Sequence, residues 1–256
     1  MPEEELILKM KEIIRIIHKS IDTGLKGTYY ADRILQQQSH LIAKSESEGK
    51  IRESVVNRII ENVSALMESK SAMEVIVAAP TAGSCGTVGG SLKAISDNPG
   101  NSEEELAKAY FAAGIVGAYF AQGPGFSAEE HGCQVECGAA SGMAAAGIVQ
   151  LMGGNAKQAL DAASMAIQNM IGLVCDPVAD RVEVPCLGKN ISAAVNAYAS
   201  AIMAISGFEA VIPLDQVIQT VSDVGRKMPL CVKCTGKGGL ATTEAALTIR
   251  NRLTQN

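Results

Sequence analysis

Two thiols four residues apart head the stretch HGCQVECGAASGMAAAG, residues 131–147, and a histidine precedes the first of them by two positions. Cysteine recurs wherever Gly or Pro interrupts the rest of the chain: in AAPTAGSCGTVGG (78–90), CDPVADRVEVPCLGKN (175–190) and CVKCTGKGGLATT (231–243). Seven cysteines is an odd number. In a reducing compartment such thiols serve as metal ligands, catalytic groups or core fillers more often than as disulfides. Cys231 and Cys234 form a C-x2-C, but no second such pair or paired histidines completes a zinc site. Cys133, Cys175 and Cys186 sit beside Gly132, Pro177 and Pro185. Irregular backbone can aim a thiolate inward while nearby amides donate to sulfur, which is how iron-sulfur clusters are held. Three ligands would leave one iron without a thiolate. Three buried structural cysteines would carry the same spacing, so the residues alone leave both readings standing.

Other chemistry-bearing groups gather at the same breaks. In the first, Thr81 and Ser84 supply hydroxyls, while Gly83, Gly86, Gly89 and Gly90 allow close backbone approach to a ligand, and amides at a following helix start would suit a carboxylate. His131 is a candidate proton acceptor or a hydrogen-bond donor near sulfur. Lys237, flanked by Gly236, Gly238 and Gly239, is a candidate base or carboxylate contact, with a solvated turn lysine as the plain alternative. The same lysine and glycines faintly resemble a pyridoxal-phosphate site, but no alternating strand and helix pattern surrounds them.

These breaks must be positioned by helices. Leu6, Ile7, Met10, Ile13, Ile14 and Ile17 recur at three- and four-residue spacing, which predicts an amphipathic first helix ending near Gly24. Residues 29–44 and 51–70 read as two more helices, the second with Val55, Val56, Ile59, Ile60 and Val63 as its apolar stripe. From Val75 onward Ala, Gly and Ser dominate, which predicts a tight bundle of closely approaching helices rather than a sheet. EVIVAA, residues 74–79, is the one strand candidate, and a helical reading fits it equally well. The fold class expected is all-α: one domain over residues 1–256, with residues 1–70 as an N-terminal helical arm.

Composition excludes several function classes. The chain has 256 residues, 47% hydrophobic, enough to bury a full core. A net charge of -5 with no dense Lys/Arg block gives no footprint for nucleic acid or an anionic membrane surface. The acidic start MPEEE does not fit a secretory leader, so the expected location is cytoplasmic. Residues 191–208 form an uncharged run long enough to raise a membrane span, but Ser192, Asn196, Ser200 and Ser206 favour a buried core helix. No dinucleotide fingerprint or phosphate-binding P-loop is present.

Taken in order, APTAGSCGT, HGCQVECGAASGMAAAG, CDPVADRVEVPCLGKN and TGKGGLA resemble the alpha chain of the bacterial iron-sulfur-dependent L-serine dehydratases, over roughly residues 75 to 245. The resemblance implies a mostly helical catalytic domain that holds a 4Fe-4S cluster through Cys133, Cys175 and Cys186. It also implies L-serine as substrate, pyruvate and ammonia as products, and a separate or fused beta part that these residues do not include. Cys137 falls where the family also carries Val, which gives it a supporting place beside the ligands. Cys85, Cys231 and Cys234 have no ligand counterpart. Where relatives often show a Gly-rich step after Cys-Asp-Pro-Val, this chain has Ala179, Asp180 and Arg181, which puts the local loop shape in question. Rival readings are a lyase acting on threonine or cysteine, and a non-enzymatic iron-sulfur protein.

Overall fold

A computed structural model describes residues 2–97 and 100–255. Among them lie eleven α-helices: α1 (Glu3–Lys26), α2 (His40–Ser47), α3 (Val55–Ser71), α4 (Cys85–Ser96), α5 (Glu103–Gln122), α6 (Ala128–His131), α7 (Cys137–Leu151), α8 (Ala156–Gln168), α9 (Cys186–Ile205), α10 (Leu214–Lys227) and α11 (Glu244–Thr254). No strand ladder occurs among the described residues; the only β-type pairing there is an isolated parallel bridge between Cys175 and Lys233. The all-α expectation holds.

Local chemistry sets the helix ends. Ser102 accepts from the Glu105 amide at 3.2 Å while the Glu105 carboxylate accepts from the Ser102 amide at 2.7 Å, closing a capping box at the start of α5. Asn155 and Gln158 form the same box on α8. Glu3, Glu4 and Glu5 occupy the first turn of α1, where carboxylates oppose the positive end of the helix dipole. Of the predicted α1 stripe, Ile14 and Ile17 turn into the core with Ile21, while Leu6 and Ile13 stay exposed, and the helix ends at Gly27 with φ +89°.

At the centre lies α7, buried at every residue from Cys137 to Val149 and packed against α4, α5, α8 and α9. Its small side chains are what permits four neighbours. A Cβ on Gly142 would stand 2.6 Å from Ile167 of α8, and one on Gly147 would stand 3.0 Å from the Ala109 carbonyl of α5. The uncharged run 191–208 belongs mostly to α9, whose Ala193, Ala194, Ala197, Ser200, Ala201 and Ala204 are buried. No helix among the described residues is long and apolar enough to cross a membrane.

Three sequence expectations fail. Residues 29–39 are not helical, because tertiary contacts take up the backbone: the Ile34 and Leu35 amides donate to the Glu183 carboxylate at 3.0 and 2.9 Å instead of to carbonyls of a preceding turn. Arg33 reaches the Glu68 carboxylate and the Thr28 carbonyl, and Gln37 donates to the Gly24 and Leu25 carbonyls at the end of α1. EVIVAA is neither strand nor helix; its Val75 carbonyl accepts from the Ser20 hydroxyl at 2.7 Å. Gly86, Gly89 and Gly90 lie inside α4 and serve helix packing rather than a ligand, since a Cβ there would meet Met67, Ile17 and Val63 at 2.6–2.9 Å.

Candidate active site

Cys133 and Cys186 sit where irregular backbone meets a helical turn, while Cys175 lies in a non-helical segment that bridges to Lys233. Cys133 opens a short 3-10 turn, Cys133–Val135, after Gly132 at φ +74°. Gln134 fixes that turn: its amide group donates to the His131 carbonyl at 2.8 Å and the Val221 carbonyl of α10 at 3.0 Å, and its side-chain oxygen accepts from the Gly172 amide at 2.9 Å. The fully buried Gln134 therefore ties the Cys133 turn to the strand-like segment leading to Cys175. That segment is clamped in turn, the Cys175 amide donating to the Val232 carbonyl at 2.8 Å and the Cys234 amide to the Cys175 carbonyl at 2.7 Å. Cys186 is the first residue of α9, as Cys137 is of α7 and Cys85 of α4.

Cys133, Cys137 and Cys175 pack in one buried cluster with Ala128 and Ala193, against which Met170, Leu173 and Cys234 pack. The Cys133 sulfur acts electrostatically on both Cys175 and Cys186, which brings the three predicted ligands into one electrostatic neighbourhood. A hydrogen bond from Cys137 holds the Cys133 thiol below the ordinary thiol value, and the same bond, with burial, drives Cys137 well above it. Burial first, and then the neighbouring Cys133, push Cys175 up and Cys186 up to about 12. Cys133 is thus the thiol of this group most disposed to ionise, and its charge would disfavour ionisation of the others. Several thiolates together require positive charge among them, which is the donor chemistry a bound metal cluster satisfies. Among the described residues no three His, Cys, Asp or Glu side chains close around a single metal ion. Cys133, Cys175 and Cys186 offer soft thiolate donors from buried positions, the ligand type that iron-sulfur clusters take.

Polar groups line the same region. The Thr81 hydroxyl donates to Glu136 at 2.7 Å and lies 3.0 Å from the Ser84 hydroxyl. Burial raises the Glu136 carboxyl above its ordinary range, and Glu136 in turn acts on Cys133, Cys137, Cys175 and Cys186. Gly83 stands against this carboxylate, its missing Cβ 3.0 Å from Oε1, so that glycine does allow a close approach. Lys70, in the last turn of α3, has its pKa lowered by burial, opposed by Cys186, Cys85, Glu183 and Glu136; its ammonium donates to the Val182 carbonyl at 3.4 Å. Asn190, fully buried in α9, donates to the Gly83 carbonyl at 2.9 Å, the Cys186 carbonyl at 2.9 Å and the Cys137 sulfur at 3.8 Å while accepting from Thr87. It couples the Thr81 loop to the thiols.

A second strut joins the C-terminal loop. Lys189 donates to Asp176 Oδ1 and to the Val174 carbonyl, both at 2.7 Å, and Asp176 Oδ2 accepts from the Leu240 amide at 2.9 Å. Burial works against the Lys189 charge, but Asp176 and the thiols Cys133 and Cys186 outweigh it and raise the pKa. Gly239 at φ +60° packs on Asp176, where a Cβ would stand 2.6 Å from the carboxylate oxygen.

The predicted residues are thus not all brought together. Cys133 and Cys175 share a buried cluster, and Thr81 and Ser84 lie beside Glu136, whose chain neighbour Cys137 belongs to that cluster. Lys237 is exposed on its loop. His131 is buried against α10, its ring 2.6 Å from where a Cβ of Gly225 would be; burial lowers its pKa, and Glu130, Lys233 and Arg226 are the charges acting on it. Sequence reasoning missed Lys70, Glu136, Asn190 and the Asp176–Lys189 pair. Glu136, Asp176, Lys189 and Asn190 all lie inside the motifs already singled out, and a polar residue in an otherwise small or apolar motif was the signal available.

The sequence profile of a family described as "Serine dehydratase alpha chain" matches residues 1–241. The probable L-serine dehydratase alpha chain of Bacillus subtilis (strain 168) is 35% identical over 98% of this chain and 84% of its own length. The L-serine dehydratase alpha chain of Peptoniphilus asaccharolyticus is 34% identical over 97% of this chain and 86% of its own. The L-serine dehydratase TdcG of Escherichia coli (strain K12) is 33% identical over 94% of this chain, which corresponds to 57% of that longer protein.

Proposed function

This chain belongs to the serine dehydratase alpha-chain family, and from that membership we propose that it deaminates L-serine to pyruvate and ammonia as the alpha subunit of a two-part enzyme. A 4Fe-4S cluster held by Cys133, Cys175 and Cys186 is its cofactor. What supports this reading is the burial of all three thiols, Cys133 and Cys175 in one cluster with Cys137, and Asn190 joining the Cys137 sulfur to the Cys186 carbonyl. When bound, the cluster supplies a Lewis-acid iron without a protein thiolate, which assists departure of the serine hydroxyl.

The chain's own residues do the rest. Thr81 and Ser84, locked in one capping box, present hydroxyls and backbone amides to the substrate carboxylate. A base must take the α-proton, and His131, Lys237 and Lys70 are the candidates. Lys70 suits the task best: burial lowers its pKa, and it faces Cys186 and Glu136, whereas Lys237 is exposed and His131 is turned to α10. Glu136, its carboxyl raised by burial and bonded to Thr81, retains a proton more readily than an ordinary glutamate and can donate it to the leaving oxygen. Loss of water leaves an aminoacrylate, which tautomerises and hydrolyses to pyruvate and ammonia unaided.

The test is anaerobic: the chain, with its beta counterpart, is assayed for pyruvate from L-serine and L-cysteine and for 2-oxobutanoate from L-threonine, alongside iron and sulfide analysis. Pyruvate formation from serine that tracks iron content and needs no added pyridoxal phosphate is the expected result. Turnover that requires pyridoxal phosphate and survives iron removal overturns the proposal. Within an active preparation, Lys70→Met is expected to lower kcat by a factor of about 100 or more, with His131→Asn and Lys237→Met losing far less.

A further inference from the structure

Cys234 is not among the ligands and takes no part in the chemistry above, yet it sits in an unusual place. Its amide donates to the Cys175 carbonyl at 2.7 Å, and the Cys175 amide is bonded to Val232, so the backbone at Cys175 runs alongside residues 232–234 as in a parallel sheet. With adjacent strands about 4.8 Å apart and a rise of about 3.3 Å per residue, Cys234, one residue past the position opposite Cys175, falls about 5.8 Å from it, within the roughly 4.4–6.8 Å Cα separation that a disulfide spans. In regular strand geometry Lys233, opposite Cys175, and Cys234 would face opposite sides. Cys234 instead has φ +61°, a conformation that L-residues other than Asn and Asp seldom adopt and that breaks the alternation. The Cys234 side chain packs against the buried cluster that contains Cys133, Cys137 and Cys175. Cys175 is buried, whereas Cys234 is half-exposed.

We propose that Cys175 and Cys234 are a redox modification site, a thiol pair that hydrogen peroxide closes into a disulfide, withdrawing Cys175 from metal binding. The balance is two steps. Peroxide oxidises the accessible Cys234 thiol to a sulfenic acid and releases one water; the Cys175 sulfur then attacks the Cys234 sulfur, forming the S–S bond and expelling the second water. Thiol reductants reverse it. The hydrogen-bonded pair Cys133 and Cys137 competes least, because Cys137 is 1% exposed and lies beyond the reach of solvent. The consequence for metal binding rests on the ligand role proposed for Cys175; the pairing does not.

The full-length chain is reduced, freed of metal by a chelator under nitrogen, treated with an equimolar amount of hydrogen peroxide, and alkylated before peptide mapping by mass spectrometry. The expected product is a cross-linked species, two hydrogens lighter, that joins the Cys175 peptide to the Cys234 peptide and disappears on reduction. In Cys234→Ser and Cys234→Ala, Cys175 stays free to alkylate. Peroxide should also cut later iron uptake several-fold in the natural chain, reversibly with dithiothreitol, and leave it unchanged in both variants. Cys175 left free, Cys175 joined to Cys133, or Cys234 joined to Cys231 overturns the pairing. A Cys175–Cys234 link in a chain that takes up no iron in either state would uphold the pairing and overturn the cluster instead.

Discussion

Charge buried at Glu68 is held in place by Arg33, whose guanidinium meets it with side-chain exposures of only 13% and 7%. Burial raises the Glu68 pKa, but Arg33 and the Thr28 hydroxyl together outweigh it, so the folded value lies below the ordinary 4.5. A depressed carboxylate stabilises the fold above its unfolded pKa, and that stability is lost as pH falls through the folded value. Glu68→Gln, which leaves Arg33 uncompensated, should therefore cost about 3 kcal/mol in urea unfolding at pH 7. The gap from the natural chain should narrow below pH 4.5; parallel curves down to pH 3 would mean that Glu68 carries no such charge. At this scale the sequence was legible in its thiols, because a cysteine beside Gly or Pro is rare enough to notice. It was not legible in Lys70 or Glu136, since one lysine in a charged helix and one glutamate between two cysteines look ordinary until burial and neighbours are known.

Between elements, close approach decides stability. A Cβ on Gly24 would lie 1.7 Å from the Ala65 carbonyl oxygen, so α1 and α3 touch backbone to backbone there. Gly24→Ala must push the helices apart and should cost roughly 1–3 kcal/mol or more. Gly114, exposed on α5 with nothing within 4 Å of its missing Cβ, should behave oppositely. Gly114→Ala gains helix propensity of about 0.5–1 kcal/mol. Unfolding midpoints that move in the same direction for both would refute the packing account. The periodicity of α1 made that helix readable in advance. Residues 29–39 misled because their helix-like spacing competes with Glu183 and Glu68, carboxylates about 150 and 40 residues away that only the folded chain delivers. The glycines of α4 misled for a related reason: a glycine made for a ligand and one made for a neighbouring helix are the same letter.

On the scale of the whole molecule, exposed apolar side chains flank both loops that carry predicted polar contacts. Met73 and Val75 precede Thr81, and Leu230 and Leu240 bracket Lys237. A beta subunit seated on this surface would order the active-site loops, with an interface of standard size burying about 1,600 Å² in total. Addition of the beta chain is expected to raise serine turnover at least tenfold over the alpha chain alone; an isolated chain equally active would point to a self-sufficient assembly. The central claim, however, is the convergence of three cysteines on one cluster, and iron and acid-labile sulfide per chain in anaerobically prepared protein test it most directly. The natural chain should carry about four of each, Cys137→Ser should keep them with a weakened visible band, and Cys133→Ser, Cys175→Ser and Cys186→Ser should each lose both the band and most of the iron. Full iron and sulfide retained in any one of those three variants, or none bound by the natural chain, would contradict the account.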